Sequence, residues 1–163
     1  MHTLIFTGKD DYRDNMEIIV SQAAEHYDRA CYVSFNDPYH IIVEMLQNLN
    51  AHEKFIVIDA SGNAKEIQNP NKTTYILPIN DLFDVYLFLR NLIIQESVKM
   101  LLIDSISALI IKHEYLPLKE MLTDLLLEVG KLRCESRLIV FKEHANHEVI
   151  SHLNPLIGNN IFL

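Results

Sequence analysis

Polar and acidic side chains follow five apolar, strand-like runs of this sequence, and carboxylates gathered in one place can hold magnesium or act as acids and bases. The first three runs are followed by Gly8-Lys9-Asp10-Asp11, by Asn36-Asp37 and by Asp59. The last two are followed by Asp104-Ser105 and by Lys142-Glu143-His144. Because the carboxyl ends of parallel strands lie at one edge of a sheet, we expect these groups to meet there.

The elements that would position these groups alternate along all 163 residues. Hydrophobic periodicity predicts strands at 3–7, 30–35, 55–58, 75–77, 99–104, 137–141 and 160–163. It predicts helices at 14–26, from Asp37 to Leu49, at 81–97, from Pro117 to about Arg133 and at 148–153. Residues 60–74 are polar and are expected to form a long loop. The alternation predicts an α/β fold, a three-layer α/β/α arrangement with a mainly parallel sheet, in a single domain covering residues 1–163.

Composition and charge exclude several classes of protein. The chain is 49% hydrophobic and 22% charged, which is too apolar for a disordered protein. A net charge of −8 argues against binding to nucleic acid or to an anionic membrane surface. No apolar run reaches the roughly 18 residues of a membrane span, and the N-terminus lacks the basic start of a signal peptide, so we expect a cytoplasmic protein. Cys31 and Cys134 have no metal-ligand spacing and are expected to be buried thiols.

Three segments resemble the RecA-like ATPases, and in particular their KaiC-related branch. Met100-Leu101-Leu102-Ile103-Asp104-Ser105 looks like the Walker B strand. Residues 31–38 resemble the second strand and turn of that branch, and residues 137–144 resemble the strand that follows the Walker B helix. The resemblance covers nearly all of the chain and implies a RecA-like (P-loop NTPase-like) core. It also implies that Gly8, Asp104 and Ser105 mark a vestigial nucleotide site, in which Asp104 would be the metal ligand.

The phosphate loop departs from that pattern. A Walker A loop has the pattern G-x-x-x-x-G-K-[ST], whose glycines, lysine and hydroxyl bind phosphates and magnesium. Aligning Gly8 with the first glycine places Arg13, Asp14 and Asn15 at the second glycine, the lysine and the hydroxyl. Each carboxylate brought near 4 Å of a phosphate costs on the order of 4 kcal/mol before screening. We therefore expect no bound nucleotide or other cofactor, and we expect Asp14 to act as the helix N-cap.

The resemblance thus implies a RecA-like fold, whereas residues 8–15 argue against ATPase activity. The chain is similar to the degenerate KaiC-like proteins of archaea, and we interpret it as a non-catalytic pseudo-ATPase domain. Such a domain would serve as a regulatory or signalling module that binds a protein partner or a second copy of itself. Its binding surface is expected on the nearly all-apolar helix 81–97, the loop 60–74 or the acidic strand-end edge. For Asp104, a capping acid after the strand and a residual metal or partner site both remain open.

Two alternatives remain. Receiver domains of phosphorelays need an acid pair, a phosphoacceptor Asp, a hydroxyl and a Lys after successive strands, and the chain offers Asp10/Asp11, Asp59, Ser105 and Lys142 in that order. Such a cluster binds magnesium and makes one carboxylate a nucleophile. A residual nucleotide-binding ATPase is the second alternative.

Overall fold

The computed structural model describes residues 1–62 and 64–163, and within them eight strands alternate with six α-helices. The strands are β1 (His2–Thr7), β2 (Ala30–Ser34), β3 (Phe55–Asp59), β4 (Gln68–Asn71), β5 (Thr74–Ile76), β6 (Met100–Asp104), β7 (Glu135–Phe141) and β8 (Asn159–Phe162). The helices are α1 (Tyr12–His26), α2 (Tyr39–Asn48), α3 (Leu82–Gln95), α4 (Ile106–Lys112), α5 (Tyr115–Lys131) and α6 (Glu148–Leu153).

The described strands form one sheet in the order β4-β5-β3-β2-β6-β7-β1-β8. Neighbouring strands are parallel except β4 and β5, which pair antiparallel. Every residue of β2, β3 and β6 is buried, which explains their unbroken apolar sequences, because helices cover both faces of such a sheet. The expected α/β fold with a mainly parallel sheet is confirmed.

Two hydrophobic cores lie on opposite faces of the sheet. Successive residues of β6 point to alternate faces, so Leu101 and Ile103 enter one core and Met100 and Leu102 the other. The first core is completed by apolar side chains of α3, α4, α5 and α6, and the second by those of α1 and α2. The structure therefore has the three layers that the alternating sequence predicts.

Helix α3 is covered on its inner side by the sheet and by α5. Leu82, Val85, Leu89, Leu92 and Ile93 are buried. Its outer side carries three exposed apolar residues, Phe83, Leu87 and Ile94. The apolar sequence of this helix thus reflects an ordinary core-facing side together with an unusually apolar outer side.

Several boundaries differ from the sequence predictions. Helix α1 begins at Tyr12, so Asp11 and not Asp14 occupies the N-cap position, and the expectation for Asp14 was wrong. Strand β4 lies inside the predicted loop 60–74, where it pairs with β5. Helix α5 begins at Tyr115, two residues before the predicted start. Pro117 therefore lies in the first turn, where no backbone N–H is needed for a helical hydrogen bond.

Helix α4 is an element that the periodicity did not predict. It begins directly after β6, where the Ser105 hydroxyl oxygen accepts a hydrogen bond from the backbone N–H of Ala108 at 3.1 Å. A serine N-cap supplies one of the acceptors that a helix start lacks. Residues 106–112, which follow the predicted strand 99–104 and were assigned to no element, therefore form a short capped helix.

Both cysteines are free and buried, as expected. Burial raises the pKa of the Cys134 thiol to about 12 and raises that of Cys31 further. Neither thiol is therefore ionised near neutral pH, which fits two small apolar core residues.

Within the described part of the chain, every helix is too short or too polar to cross a lipid bilayer.

Leu89 and Leu87 provide a matched test of how α3 packs. Leu89 is 0% exposed, whereas Leu87 is 37% exposed on the same helix. Leu89→Ala leaves a cavity and is expected to lower the free energy of unfolding by about 2–5 kcal/mol, whereas Leu87→Ala should lower it by less than about 1 kcal/mol. Urea unfolding followed by circular dichroism measures both values. Equal losses would contradict this orientation of α3.

Candidate functional site

The carboxyl ends of the central strands meet at one edge of the sheet. The register places Ser34, the last residue of β2, beside Asp59 of β3 and beside Asp104 of β6. On the other side of β6, the register places Thr7 of β1 beside Phe141 of β7. The sheet therefore brings most of the predicted polar residues to this edge, but it spreads them over five strands.

Asp104 lies at the centre of this edge and is 0% exposed. Its carboxylate Oδ2 accepts a hydrogen bond from the Tyr32 hydroxyl at 2.6 Å and a second one from the Tyr12 hydroxyl. Among residues 1–62 and 64–163, no group donates to its Oδ1. The peptide bond between Asp104 and Ser105 is cis. The carboxylate is thus turned into the protein, where two tyrosines hold it.

Burial dominates the electrostatics of this cluster. Loss of water raises the pKa of Asp104 to about 6, and the nearby charge of Asp37 acts in the same direction. The two tyrosine hydroxyls act in the opposite direction because they stabilise the ionised carboxylate. Burial and the neighbouring Asp104 also raise the pKa values of Tyr12 and Tyr32, so both hydroxyls stay protonated and remain donors.

The segment between β1 and α1 is a short turn. It comprises only residues 8–11, and Tyr12, which is 9% exposed, follows as the first helical residue. A Cβ added to Gly8 would meet only Asp11 Oδ2, at 3.6 Å, and the φ angle of Gly8 is not positive. This glycine is therefore not needed for a backbone conformation or a close approach that other residues cannot provide.

The side chains around this turn are also engaged elsewhere. The Lys9 ammonium pairs with the Glu143 carboxylate at 2.8 Å, and the Asn15 amide donates to the Thr7 hydroxyl oxygen at 2.8 Å. The Tyr12 ring packs edge-on against Phe141, with ring centroids 5.4 Å apart. These contacts place an aromatic ring and neutralised charges where the family resemblance implies phosphates.

A magnesium-bound nucleotide does not fit this donor set. The Asp104 side chain is buried and its Oδ2 accepts two hydroxyl hydrogen bonds, and among the described residues no three His, Cys, Asp or Glu side chains converge on one point. A cavity of about 230 Å³ lies beside Tyr12 and Tyr32, but its charged lining is three acids, Glu17, Asp37 and Glu44, against Arg13. An anionic phosphate group would be repelled from such a cavity.

The strand order contradicts the receiver-domain alternative. Strands β1 and β3 are separated by β2, β6 and β7, so Asp10 and Asp11 lie about 20 Å from Asp59 along the sheet. Receiver domains instead place their first strand beside the third. The Asp59 carboxylate is already used: Oδ2 accepts from the Tyr39 N–H at 2.8 Å, and Oδ1 accepts from the N–H and the hydroxyl of Ser61.

The remaining predicted residues have local roles or none. Ser105 is buried and caps α4, as described above, and Lys142 is exposed beyond the end of β7. Sequence reasoning missed Tyr12 and Tyr32, which are the partners of Asp104. A signal was present for Tyr32, because a tyrosine inside a wholly buried strand needs a partner for its hydroxyl.

Comparison with known proteins gave a structural match only. No family model matches the chain, and no curated protein matches it in sequence. A solved structure, the KaiC-like protein of the hyperthermophilic archaeon Pyrococcus horikoshii, superposes with a TM-score of 0.58 over 86% of this chain at 14% identity. The chain has a KaiC-like, RecA-type fold. It spans 60% of the length of that neighbour, and this degree of identity shows the fold alone.

The raised pKa of Asp104 makes stability depend on pH in a defined direction. Between about pH 4 and pH 6 the folded chain keeps a proton that the unfolded chain has released, so this group's contribution to the free energy of unfolding falls as the pH rises. Between pH 4 and pH 7 the fall amounts to about 2 kcal/mol. Asp104→Asn lacks this titration. We therefore expect its stability relative to the wild type to improve by that amount between pH 4 and pH 7 in urea unfolding.

Tyr12→Phe serves as the control for the same measurement. It keeps Asp104 but removes one donor to the carboxylate, which raises the pKa of Asp104 further and extends the decline to higher pH. A difference between wild type and Asp104→Asn that stays constant with pH would show that Asp104 keeps an ordinary pKa.

Proposed function

We propose that this chain is a non-catalytic RecA-fold domain, a pseudo-ATPase, that acts in the cytoplasm as a regulatory or signalling protein-interaction module. The observation that carries this proposal is the occupation of the Asp104 carboxylate by the hydroxyls of Tyr12 and Tyr32. A KaiC-like fold with this interior keeps the scaffold of a nucleotide-binding domain without its chemistry.

The physical case against nucleotide chemistry has two parts. A carboxylate that holds magnesium must be accessible to the ion, whereas Asp104 is 0% exposed and its Oδ2 already accepts two hydroxyl hydrogen bonds. A triphosphate also needs backbone amides and a lysine at a helix N-terminus, whereas α1 starts behind Asp10 and Asp11 with Lys9 paired to Glu143. Binding of ATP would require both sites to rearrange.

The case for protein interaction comes from the outer surface. Ile111, Leu116 and Phe83 are 71%, 60% and 59% exposed, and all three lie near the ends of helices on one side of the sheet. Exposed apolar side chains that adjoin one another mark surfaces that bind other proteins, and Phe83 lines a cavity together with Leu82, Tyr86 and Met121. The net charge of −8 favours a protein partner over nucleic acid or an anionic membrane. A second copy of the chain is the alternative partner, which light scattering would reveal as a dimer mass.

A thermal-shift titration with ATP and ADP, each with and without magnesium, tests the loss of nucleotide binding. A ligand at 100 times its dissociation constant adds about 2.7 kcal/mol to the stability of the folded state, which is readily detected. We expect no shift with any of the four combinations. Asp104→Asn is the matched variant, and it should also show none.

A magnesium-dependent shift with ATP that disappears in Asp104→Asn would contradict the proposal. Such a result would establish a residual nucleotide-binding domain with Asp104 as its metal ligand. A shift that survives in Asp104→Asn would contradict it too, because it would place a nucleotide site elsewhere.

A further inference from the structure

A second cavity lies between the N-terminal halves of α3 and α5. Its volume is about 500 Å³, and the C-terminal end of α4 closes one side. Its apolar lining consists of Leu82, Phe83, Tyr86, Pro117 and Met121. We call this cavity the α3–α5 groove.

The groove carries more negative than positive charge. Four carboxylates line it, from Asp81, Glu114, Glu120 and Asp124, against the single ammonium of Lys112. That ammonium is held at the sheet edge, where it donates to the backbone oxygens of Phe35 and Ser61 at 3.3 Å each. Burial and the neighbouring Lys112 lower the pKa of His113, so its imidazole adds no positive charge at neutral pH.

Two of the four acids have no structural task within the described residues. Asp81 caps α3 by accepting from the Phe83 N–H at 2.8 Å, and Glu114 stands at the N-cap position of α5, where the helix dipole favours an acid. Glu120 and Asp124 lie further along α5, are exposed, and form no ion pair with any residue of 1–62 or 64–163. They are the groups that remain available to a partner.

The next turn of α5 shows how an acid beside α3 forms an ion pair. One turn beyond Asp124, the Glu128 carboxylate accepts from the Arg90 guanidinium across the α3–α5 contact at 3.1 Å. One turn earlier on α3 stands Tyr86, which offers no cation. Within the groove, α3 therefore presents Tyr86 where the next turn presents Arg90. A cation from a partner would pair with Glu120 and Asp124 as Arg90 pairs with Glu128.

We propose that the α3–α5 groove binds a basic amphipathic segment of another protein, whose Lys or Arg side chains pair with Glu120 and Asp124 while an apolar side chain enters beside Phe83 and Met121. This inference rests on the proposed function, since it names the partner chemistry of that interaction module. A helix or short peptide with cationic and apolar faces fits such a groove. The apolar anchor supplies affinity, and the charges supply orientation and association rate.

Charge favours such a partner over a second copy of this chain. A second copy would bring a net charge of −8 to an already acidic groove, which opposes association. A basic segment instead neutralises the two free acids. Phe83, which is 59% exposed, offers its ring to such a segment within the groove.

The test uses the full chain and a fluorescein-labelled peptide of leucine and lysine with the leucines on one helical face. Fluorescence anisotropy at about 0.15 M ionic strength gives the dissociation constant, at a salt concentration that screens distant charges. We expect saturable one-to-one binding. The double variant Glu120→Gln/Asp124→Asn should weaken it about tenfold, because two charge pairs are lost.

Two matched variants control for charge and for surface hydrophobicity. Glu25→Gln/Asp28→Asn removes the same charge around the C-terminal end of α1, which packs on the opposite face of the sheet, and should leave the dissociation constant within about twofold. Phe83→Ala should weaken binding, whereas Ile18→Ala, which truncates an apolar residue 52% exposed on α1, should not. Hydrogen exchange should show new protection in α3 and α5 and none in α1.

Three results would overturn the proposal: no saturable binding, equal weakening by the two double variants, or a light-scattering dimer that Phe83→Ala dissolves, which would assign the groove to a second copy. None of these results depends on nucleotide binding. A chain that binds ATP and magnesium and also binds the peptide would overturn only the pseudo-ATPase proposal. A chain that binds neither ATP nor the peptide would overturn only the groove proposal.

Discussion

The buried carboxylate of Asp104 is the constraint on which the middle of this molecule depends. Removing a carboxylate from water costs several kcal/mol unless donors replace the lost solvent. Here the donors are the hydroxyls of Tyr12 and Tyr32, one from the start of α1 and one from the neighbouring strand β2. The turn after β1 must therefore be short enough to bring Tyr12 across β7 to the end of β6. One polar cluster thus joins the first helix, α1, to the two central strands β2 and β6.

The same cluster determines what surrounds the carboxyl end of β6. In the RecA-like arrangement that the sequence resembles, the acid at the end of this strand faces a magnesium ion, whereas in this chain it faces its own protein. The polar residues around it follow the same principle, since Asp59 fixes the start of α2 and Ser105 caps α4. At this edge Asp104 Oδ2, Asp59 and Ser105 accept hydrogen bonds from the protein itself. These hydrogen bonds hold the starts of α1, α2 and α4 against the ends of the strands.

Two carboxylates on α5 have no ion-pair partner among the described residues. Glu120 and Asp124 face solvent beside an apolar groove, and the turn that follows shows the pairing that they lack, between Glu128 and Arg90. Exposed ion pairs contribute little to the stability of a folded chain. The free energy of unfolding would therefore change little whether Glu120 and Asp124 are paired or unpaired. A charged and partly apolar surface does matter to a partner, because it determines orientation and association rate. The contacts around Asp104 thus concern the fold, whereas Glu120 and Asp124 concern the proposed partner.

The sequence by itself determined the α/β class, the parallel sheet and the loss of the phosphate loop. Apolar runs without alternation are buried on both faces, and the positions of the second glycine and of the lysine that follows it in a phosphate loop hold Arg13 and Asp14. It did not determine the strand order, which separates Asp10 and Asp11 from Asp59, or the short helix α4. Nor did it reveal the partners of Asp104, which lie 92 and 72 residues away along the chain. Periodicity reports which face of an element is buried, whereas strand order and buried hydrogen bonds arise from contacts between distant segments that only the folded chain brings together.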